Sequence, residues 1–202
     1  MVLSELLKQS TKTLHQKAES TFFIKKLLKG DLLISDYCRY LCELYHIYFT
    51  LEQQLEKFKN DYRLGVFSNK LLYRSKSILV DLDSFGISCS NISDSCKEYA
   101  SAIKNSSDEN SITLLSHAYV RYFGDLNGGM IISKILKKNY KLNQTNLNFY
   151  DFSCLISQVS DPTKKMKQSL DALNFKEEEI NIILNTAKEA FKYNIKLLEE
   201  LL

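Results

Sequence analysis

The chain has 202 residues, of which 45% are apolar and 25% charged, and its formal net charge at pH 7 is +3. This length and apolar content suit one globular domain with a sizeable core, so we expect a single domain over residues 1–202. The near balance of 27 basic and 24 acidic residues gives no reason to expect a nucleic-acid surface, and no run approaches the ~18 apolar residues of a membrane span.

Cysteine usage favours a reducing environment. The five cysteines are odd in number and include no Cys-x-x-Cys pair: Cys38, Cys42, Cys89, Cys96 and Cys154. The N-terminal residues become polar before a signal-peptide core could form. We therefore expect a soluble, cytoplasmic protein.

An all-α fold is predicted, because one proline and six glycines leave little to interrupt helices and strand-like alternation is hard to find. Polar connections are predicted at 60–68, 85–92, 105–110 and 139–162. Candidate helix starts are Ser35-Asp36, Ser111 and Asp161-Pro162. The predicted helices cover residues 4–19, 22–29, 34–58, 69–84, 93–104, 111–138, 163–173 and 176–201.

The first predicted helix carries a possible metal ligand. Lys8, Lys12, His15 and Glu19 follow a 4-3-4 spacing and fall on one stripe. A His four residues before a Glu can donate Nδ1–H to the carboxylate, which leaves Nε2 free to bind a metal. The alternative is a solvated helix face with ordinary i,i+4 pairing.

The predicted helix 34–58 is rich in tyrosine, with hydroxyls available to a buried polar site: Tyr37, Tyr40, Tyr45 and Tyr48. It also contains one Glu-x-x-His, formed by Glu43 and His46. A di-iron bundle requires a second copy, which the sequence lacks. His46 and His117 are interpreted as core histidines.

Three of the six glycines fall within residues 124–129, inside the long predicted helix 111–138. Each costs about 1 kcal/mol relative to alanine in a helix interior, so the cluster invites a kink. Gly124 and Gly128 share a face on which a flat group could lie against bare backbone, with Asp125 beside it. The alternatives are a tight helix crossing or a loop between two helices.

Four blocks of the chain, in order and spacing, resemble the heme oxygenase family. The stretch His117–Gly129 is similar to the family's distal-helix signature almost residue for residue, and Thr11–Glu19 is similar to its proximal helix. Leu44–Glu52 and Ala187–Ile195 resemble two further blocks of that family.

The resemblance implies a single-domain helical bundle in which heme, both substrate and cofactor, lies between a proximal helix and a kinked, glycine-rich distal helix. His15 is implied to bind the iron and Glu19 to support it. Gly124, Gly128 and Gly129 would let the distal backbone approach the heme closely.

The resemblance also implies that Asp125 holds a distal water network that hydrogen-bonds dioxygen, with Tyr48 and Arg121 in support. Arg121, four residues before Asp125, is expected to pair with it. Phe191 and Asn194 match pocket residues of the last helix.

Heme propionates are expected to meet Lys8, Lys12, Lys167 and Tyr119. Two positions depart from the family pattern, since Lys167 stands where Arg is common and Met166 where Tyr is common. Because a lysine cannot make the bidentate contact of an arginine, heme orientation is expected to be looser. Lys164 or Lys165 could share this role.

The resemblance implies a heme oxygenase that converts heme and O2 to biliverdin, carbon monoxide and ferrous iron, and we expect a monomer. Its electron donor would be a ferredoxin, a flavodoxin or an NADPH-dependent flavoprotein reductase. One alternative is a heme carrier or sensor of the same fold. The other is a non-heme di-iron or thiamin-salvage relative, which needs a fuller ligand set than Glu43 and His46.

Overall fold

The structure is a computed structural model that describes residues 2–202, and within that range it contains helices and turns but no strand. The prediction of an all-α fold is therefore confirmed. Short 3₁₀ turns occupy Tyr62–Phe67, Lys70–Leu72, Gln144–Asn146 and Asn148–Tyr150. The α-helices are α1 (Leu3–Glu19), α2 (Phe22–Lys29), α3 (Ile34–Lys57), α4 (Ser75–Ser84), α5 (Asp94–Glu109), α6 (Thr113–Ala118), α7 (Gly124–Asn139), α8 (Ser153–Gln158), α9 (Pro162–Asp171) and α10 (Glu177–Glu200).

The core forms around α10, which packs against α1, α2, α5 and α6. Its buried side chains recur at helical spacing and form one apolar stripe, which includes Ile183, Ala187, Ala190, Phe191 and Ile195. On the other side of the core, α3 packs against α4, α5 and α6. The two long helices α3 and α10 thus frame the elements that carry the predicted site.

Several predicted boundaries are wrong. A 3₁₀ turn precedes α4, and α4 begins at Ser75, where the buried Glu52 carboxylate accepts hydrogen bonds from the amides of Arg74 and Ser75. α5 continues to Glu109, and α8 lies inside the predicted connection 139–162.

Two of the three predicted helix starts are also wrong. α3 begins at Ile34 without a side-chain cap, and Ser111 donates its hydroxyl to Asp61 instead of capping α6. At α9 the prediction is confirmed, because Asp161 accepts from the amide of Lys164 at 2.9 Å and Pro162 occupies the first turn.

Two of the five cysteines are bonded to each other. Cys42 of α3 and Cys89, in the connection between α4 and α5, form a disulfide with Cα atoms 5.4 Å apart. Cys38, Cys96 and Cys154 remain free thiols. An odd number of cysteines leaves one thiol unpaired at least, but it does not prevent two others from meeting in the fold.

Among residues 2–202, no helix is both long enough and apolar enough to cross a membrane.

Candidate functional site

The predicted helix 111–138 is continuous in the structure, but it contains a π-helical turn. α6 runs directly into a π turn at Tyr119–Phe123, which runs directly into α7 at Gly124. Gly124 has φ −59° and ψ −48°, which are helical values, so the alternative of a loop between two helices is wrong. Widened π turns are frequent at functional sites. The predicted irregularity therefore lies one turn before the glycines.

The glycine segment, Gly124–Gly129, has one open face. A Cβ atom built on Gly124 or Gly128 would have no neighbouring atom within 4 Å. A flat ligand could therefore contact the backbone at these two positions. Gly129 differs, because its Cβ would lie 3.0 Å from Cδ1 of the Tyr150 ring.

Three buried polar side chains, Tyr48, Arg121 and Asp125, form what we call the distal triad. The Tyr48 hydroxyl donates a hydrogen bond to Oδ2 of Asp125 and accepts one from Nε of Arg121 at 3.1 Å. Asp125, only 9% exposed, lies at the start of α7 beside Gly124. The structure thus brings these three predicted site residues into contact.

The expected direct pairing of Arg121 with Asp125 is wrong. Within residues 2–202, no nitrogen of Arg121 lies within 4 Å of the Asp125 carboxylate, and the two residues meet through Tyr48. Arg121 belongs to the π turn, where the wider spacing changes how residues four apart overlap. Its Nη1 instead donates to Oδ1 of Asn194 at 2.7 Å.

Burial and charge have opposite effects on pKa values within the triad. Burial raises the pKa of Asp125, while the Arg121 charge and the Tyr48 hydrogen bond oppose this rise. Burial also raises the pKa of Tyr48 well above its usual value, so its hydroxyl remains a proton donor. Burial opposes the charge of Arg121, but the nearby Asp125 raises its pKa, so Arg121 stays charged.

Two further tyrosines surround Arg121. Burial raises the pKa of Tyr99 to about 12, and the Arg121 charge opposes this rise in both Tyr99 and Tyr40. The Tyr99 hydroxyl is fully buried and has no hydrogen-bond partner within residues 2–202. An ordered water commonly fills such a position. No sequence pattern indicates Tyr99, which is the one aromatic residue of its helix, whereas Tyr40 belongs to the tyrosine pattern of α3.

On α1, His15 is paired with Glu19 as predicted. Nδ1 of His15 lies 3.5 Å from Oε2 of Glu19, and the two side chains are 54% and 64% exposed. The imidazole packs edge-on against Phe191 of α10, with ring centroids 5.9 Å apart. Nε2 of His15 makes no hydrogen bond within the described residues, so it is free to bind a ligand.

The helix α10 connects the two sides of the site. Phe191 contacts His15, and Asn194, three residues further on, accepts the hydrogen bond from Arg121. Residues three apart share a helix face. One face of α10 therefore forms the wall between the proximal helix α1 and the distal triad.

The three lysines predicted to bind propionates are exposed, and none has an ion-pair partner within residues 2–202. Ser4 of α1 donates to the Asp171 carboxylate of α9 through both its amide and its hydroxyl, each at 2.8 Å. Lys8 and Lys167 each lie four residues from this junction, toward the middle of their helices.

Tyr119 lies in the π turn, with its ring 4.8 Å from that of Phe123. Burial raises the pKa of its hydroxyl to about 12, and Glu5 of α1 adds to the rise. Tyr119 is thus close enough to Glu5, in the first turns of α1, to be affected by its charge.

The donor set fits heme better than a bare metal ion. Within residues 2–202, no three His, Cys, Asp or Glu side chains cluster as ligands for an ion. A porphyrin supplies its own in-plane ligands and needs one axial nitrogen, which His15 offers. Two surface cavities, of about 410 and 710 Å³, open beside Tyr73 and Lys76 and include none of the predicted site residues.

A helical fold that carries an exposed histidine with a free Nε2 and, on another helix, an open-faced glycine segment suits the class of heme-binding proteins. Comparison with known sequences identifies one family within this class. The family profile "Heme oxygenase" matches residues 1–200. The chain is 31% identical over 200 residues to heme oxygenase of Guillardia theta, covering 96% of this chain and 84% of that protein. It is 32% identical over 206 residues to heme oxygenase 1 of Gallus gallus, covering 98% and 69%.

Solved structures agree with the sequence comparisons. Heme oxygenase from Leptospira interrogans superposes with a TM-score of 0.91 at 31% identity, covering 99% of this chain and 100% of that one. Heme oxygenase-1 from the cyanobacterium Synechocystis, solved in complex with heme, gives 0.90 at 28% identity, covering 100% and 92%. The chain belongs to the heme oxygenase family, as the sequence predicted.

Proposed function

We propose that this chain binds heme between α1 and the glycine segment and cleaves it at one meso carbon to biliverdin, carbon monoxide and ferrous iron. One observation carries the proposal: the open faces of Gly124 and Gly128 lie beside a buried polar triad. A protein that only carried heme would need an axial ligand and charged contacts, but not these groups.

His15 is the proposed iron ligand, through Nε2. Glu19, whose Oε2 lies 3.5 Å from Nδ1 of His15, is placed to fix the tautomer and orientation of the imidazole. Phe191 restricts rotation of the ring. The proximal side thereby holds the substrate iron at a fixed point along α1.

Lys8, Lys12 and Lys167 are the proposed partners of the propionates, and Tyr119 donates from the adjacent π turn. Their ammonium groups are free to meet carboxylates, since they have no partners within residues 2–202. Each exposed contact is worth roughly 0.5–1.5 kcal/mol, which suits orientation more than affinity.

The distal triad supplies directed hydrogen bonding. Tyr48 and Arg121 fix the Asp125 carboxylate, so its acceptor oxygens can orient a water molecule whose proton points toward the substrate face. The glycine segment would hold heme against its open face and would direct the reaction to one meso carbon. Phe191 and Asn194 complete the pocket wall.

For the partners, we propose O2 as co-substrate and a ferredoxin, a flavodoxin or an NADPH-dependent flavoprotein reductase as electron donor, with a monomeric enzyme. We propose a cytoplasmic location as well. The Cys42–Cys89 disulfide counts against that location, because disulfides are rare in reducing compartments.

The test is a hemin titration followed by reductant in air. We expect a 1:1 complex whose Soret band decays as a biliverdin band grows. A stable Soret band would instead identify a heme carrier and overturn the proposal.

Variants test the ligand assignment. His15→Ala should lose turnover and regain part of it with added imidazole, whereas His46→Ala serves as the matched control. An unchanged spectrum and full activity in His15→Ala would overturn the assignment to His15.

A further inference from the structure

The 3₁₀ turn Asn148–Tyr150, between α7 and α8, is fixed from two sides. Asp81 of α4 is fully buried and accepts hydrogen bonds from the amides of Asn148 and Phe149, at 2.7 and 2.8 Å, and from Nδ2 of Asn148 at 2.8 Å. Nη1 of Arg74 donates to the carbonyl oxygens of Asp151 at 2.8 Å and Phe149 at 3.4 Å. The turn therefore has little freedom to move relative to α4.

This turn presents two rings to the distal side of the site. The Phe149 ring packs against that of Tyr48, with centroids 5.7 Å apart. The Tyr150 ring lies against the backbone of Gly129, where a Cβ atom would come within 3.0 Å of Cδ1. One turn thus contacts both the distal triad and the glycine segment.

We propose that Tyr150 is a positioning residue that sets the height of the glycine segment above the substrate, with Asp81 holding Tyr150 in place. The proposal rests on the proposed function. Gly128 faces open space while its neighbour Gly129 rests on the Tyr150 ring, so the segment is supported on one side and bare on another. A helix with three glycines has few side chains to fix it, and a rigid ring supplies the support that is missing.

The competing explanation is that Tyr150 only fills the core. Core filling predicts that variants change thermal stability without changing the heme environment. If Tyr150 positions the segment, the heme environment should change with the Gly129–Tyr150 distance. A substitution that adds atoms between these residues should then be compensated by one that removes atoms.

The experiment compares Gly129→Ala, Tyr150→Ala and the double variant as heme complexes. One readout is the pH midpoint, which is the pH at which the absorption spectrum of the ferric heme complex is half changed. The others are the biliverdin isomer ratio and the melting temperature of the heme-free protein. Gly129→Ala pushes α7 away from the fixed ring, so we expect a midpoint shift of roughly 0.5 pH unit and mixed isomers. The double variant gives the new methyl group the space of the ring and should return toward wild type.

Two controls are included. One distinguishes the Tyr150 ring from its hydroxyl, and the other distinguishes an effect at Gly129 from that of a glycine-to-alanine change elsewhere. Tyr150→Phe keeps the ring and should behave as wild type, as should Gly65→Ala, because Gly65 lies in another turn with no atom near its Cβ. If Gly129→Ala does not fold, Asp81→Asn releases the turn without adding an atom to α7 and should shift the same midpoint.

The proposal is overturned if these variants alter only the melting temperature, or if the double variant is no closer to wild type than Gly129→Ala. The pH midpoint requires bound heme but no turnover. A wild-type protein that binds heme without forming biliverdin would therefore refute the proposed function and still leave the positioning test readable.

Discussion

Asp125 and Arg121 lie four residues apart in one helix, yet they meet through the hydroxyl of Tyr48 from another helix. A direct ion pair would satisfy both charges internally. Because Tyr48 occupies one Asp125 oxygen and Arg121 is shared with Asn194, the triad is ordered but retains acceptor capacity. Preorganised groups of this kind act at positions where charge develops during a reaction.

Replacement of Asp125 tests this function. Asp125→Ala should bind heme within about threefold of wild type but lower biliverdin formation roughly 10²-fold, the loss typical of one preorganised hydrogen-bonding group. Oxidation of an added peroxidase dye should rise in parallel. The measurement is bilin yield per heme, with the exposed Asp83→Ala as matched control. Normal bilin formation in Asp125→Ala would limit this residue to a structural role.

Within α7, the glycine segment combines low helix propensity with an open face. Gly124 and Gly128 meet no atom that would explain the absence of a side chain, whereas Gly129 meets Tyr150. The first two glycines therefore lower the stability of α7 without improving its packing. Such a cost is typical of positions selected for function.

The substitution Gly128→Ala should separate stability from binding. In the heme-free protein it should raise the free energy of unfolding by about 1 kcal/mol, since alanine favours helix and the space is open. In the heme complex the methyl group enters the ligand space and should weaken affinity by about 1–2 kcal/mol. Urea unfolding and hemin titration measure the two effects, with Gly65→Ala as control. Equal heme affinity in Gly128→Ala and wild type would contradict the open-face assignment.

The Cys42–Cys89 disulfide joins α3 to the connection between α4 and α5. It closes a loop of 47 residues. Chain entropy alone gives roughly 4 kcal/mol for a loop of this length, as an upper figure. Cys42→Ser/Cys89→Ser should therefore unfold at lower urea concentration than wild type, and dithiothreitol should lower only the wild-type midpoint.

Thiol counting provides the check on this disulfide. Unfolded but unreduced protein should react at three thiols, Cys38, Cys96 and Cys154, and reduced protein at five. Cys154→Ser is the control for loss of a free thiol. Five reactive thiols without reduction would show that the pair does not form in solution.

For the whole molecule, acid stability should depend on a histidine outside the heme site. His117 is 2% exposed, its Nδ1 has no hydrogen-bond partner within residues 2–202, and burial lowers its pKa to about 4. The unfolded chain binds a proton near pH 6.5, whereas the folded protein does so only near pH 4. Stability is therefore present above pH 6.5 and is lost as the pH falls toward 4, by roughly 3 kcal/mol.

Urea unfolding between pH 7 and pH 4 measures this loss. His117→Gln should flatten the pH dependence, because the glutamine amide does not titrate. Parallel curves for His117→Gln and wild type would assign the acid sensitivity to other groups.

Sequence patterns predicted the all-α fold, the long helices and the residues of the distal triad. The helical periodicity of α1, α3 and α10 is long and strong, and the residues of the distal triad fall within family blocks. Other features depend on tertiary contacts: Glu52 sets the start of α4, and Tyr48 reaches between Arg121 and Asp125 from another helix. The Cys42–Cys89 pair and the Tyr99 hydroxyl depend on fold proximity between distant segments, which no local pattern encodes.

We propose that this chain opens the heme ring with its own distal groups. The most direct measurement is the carbon monoxide and biliverdin released from the 1:1 hemin complex with ascorbate in air, in the presence of catalase. Catalase removes free peroxide, so it suppresses nonspecific coupled oxidation but not an enzymatic reaction. We predict one carbon monoxide and one biliverdin per heme, unchanged by catalase. A stable Soret band, or product formation that catalase abolishes, would contradict it.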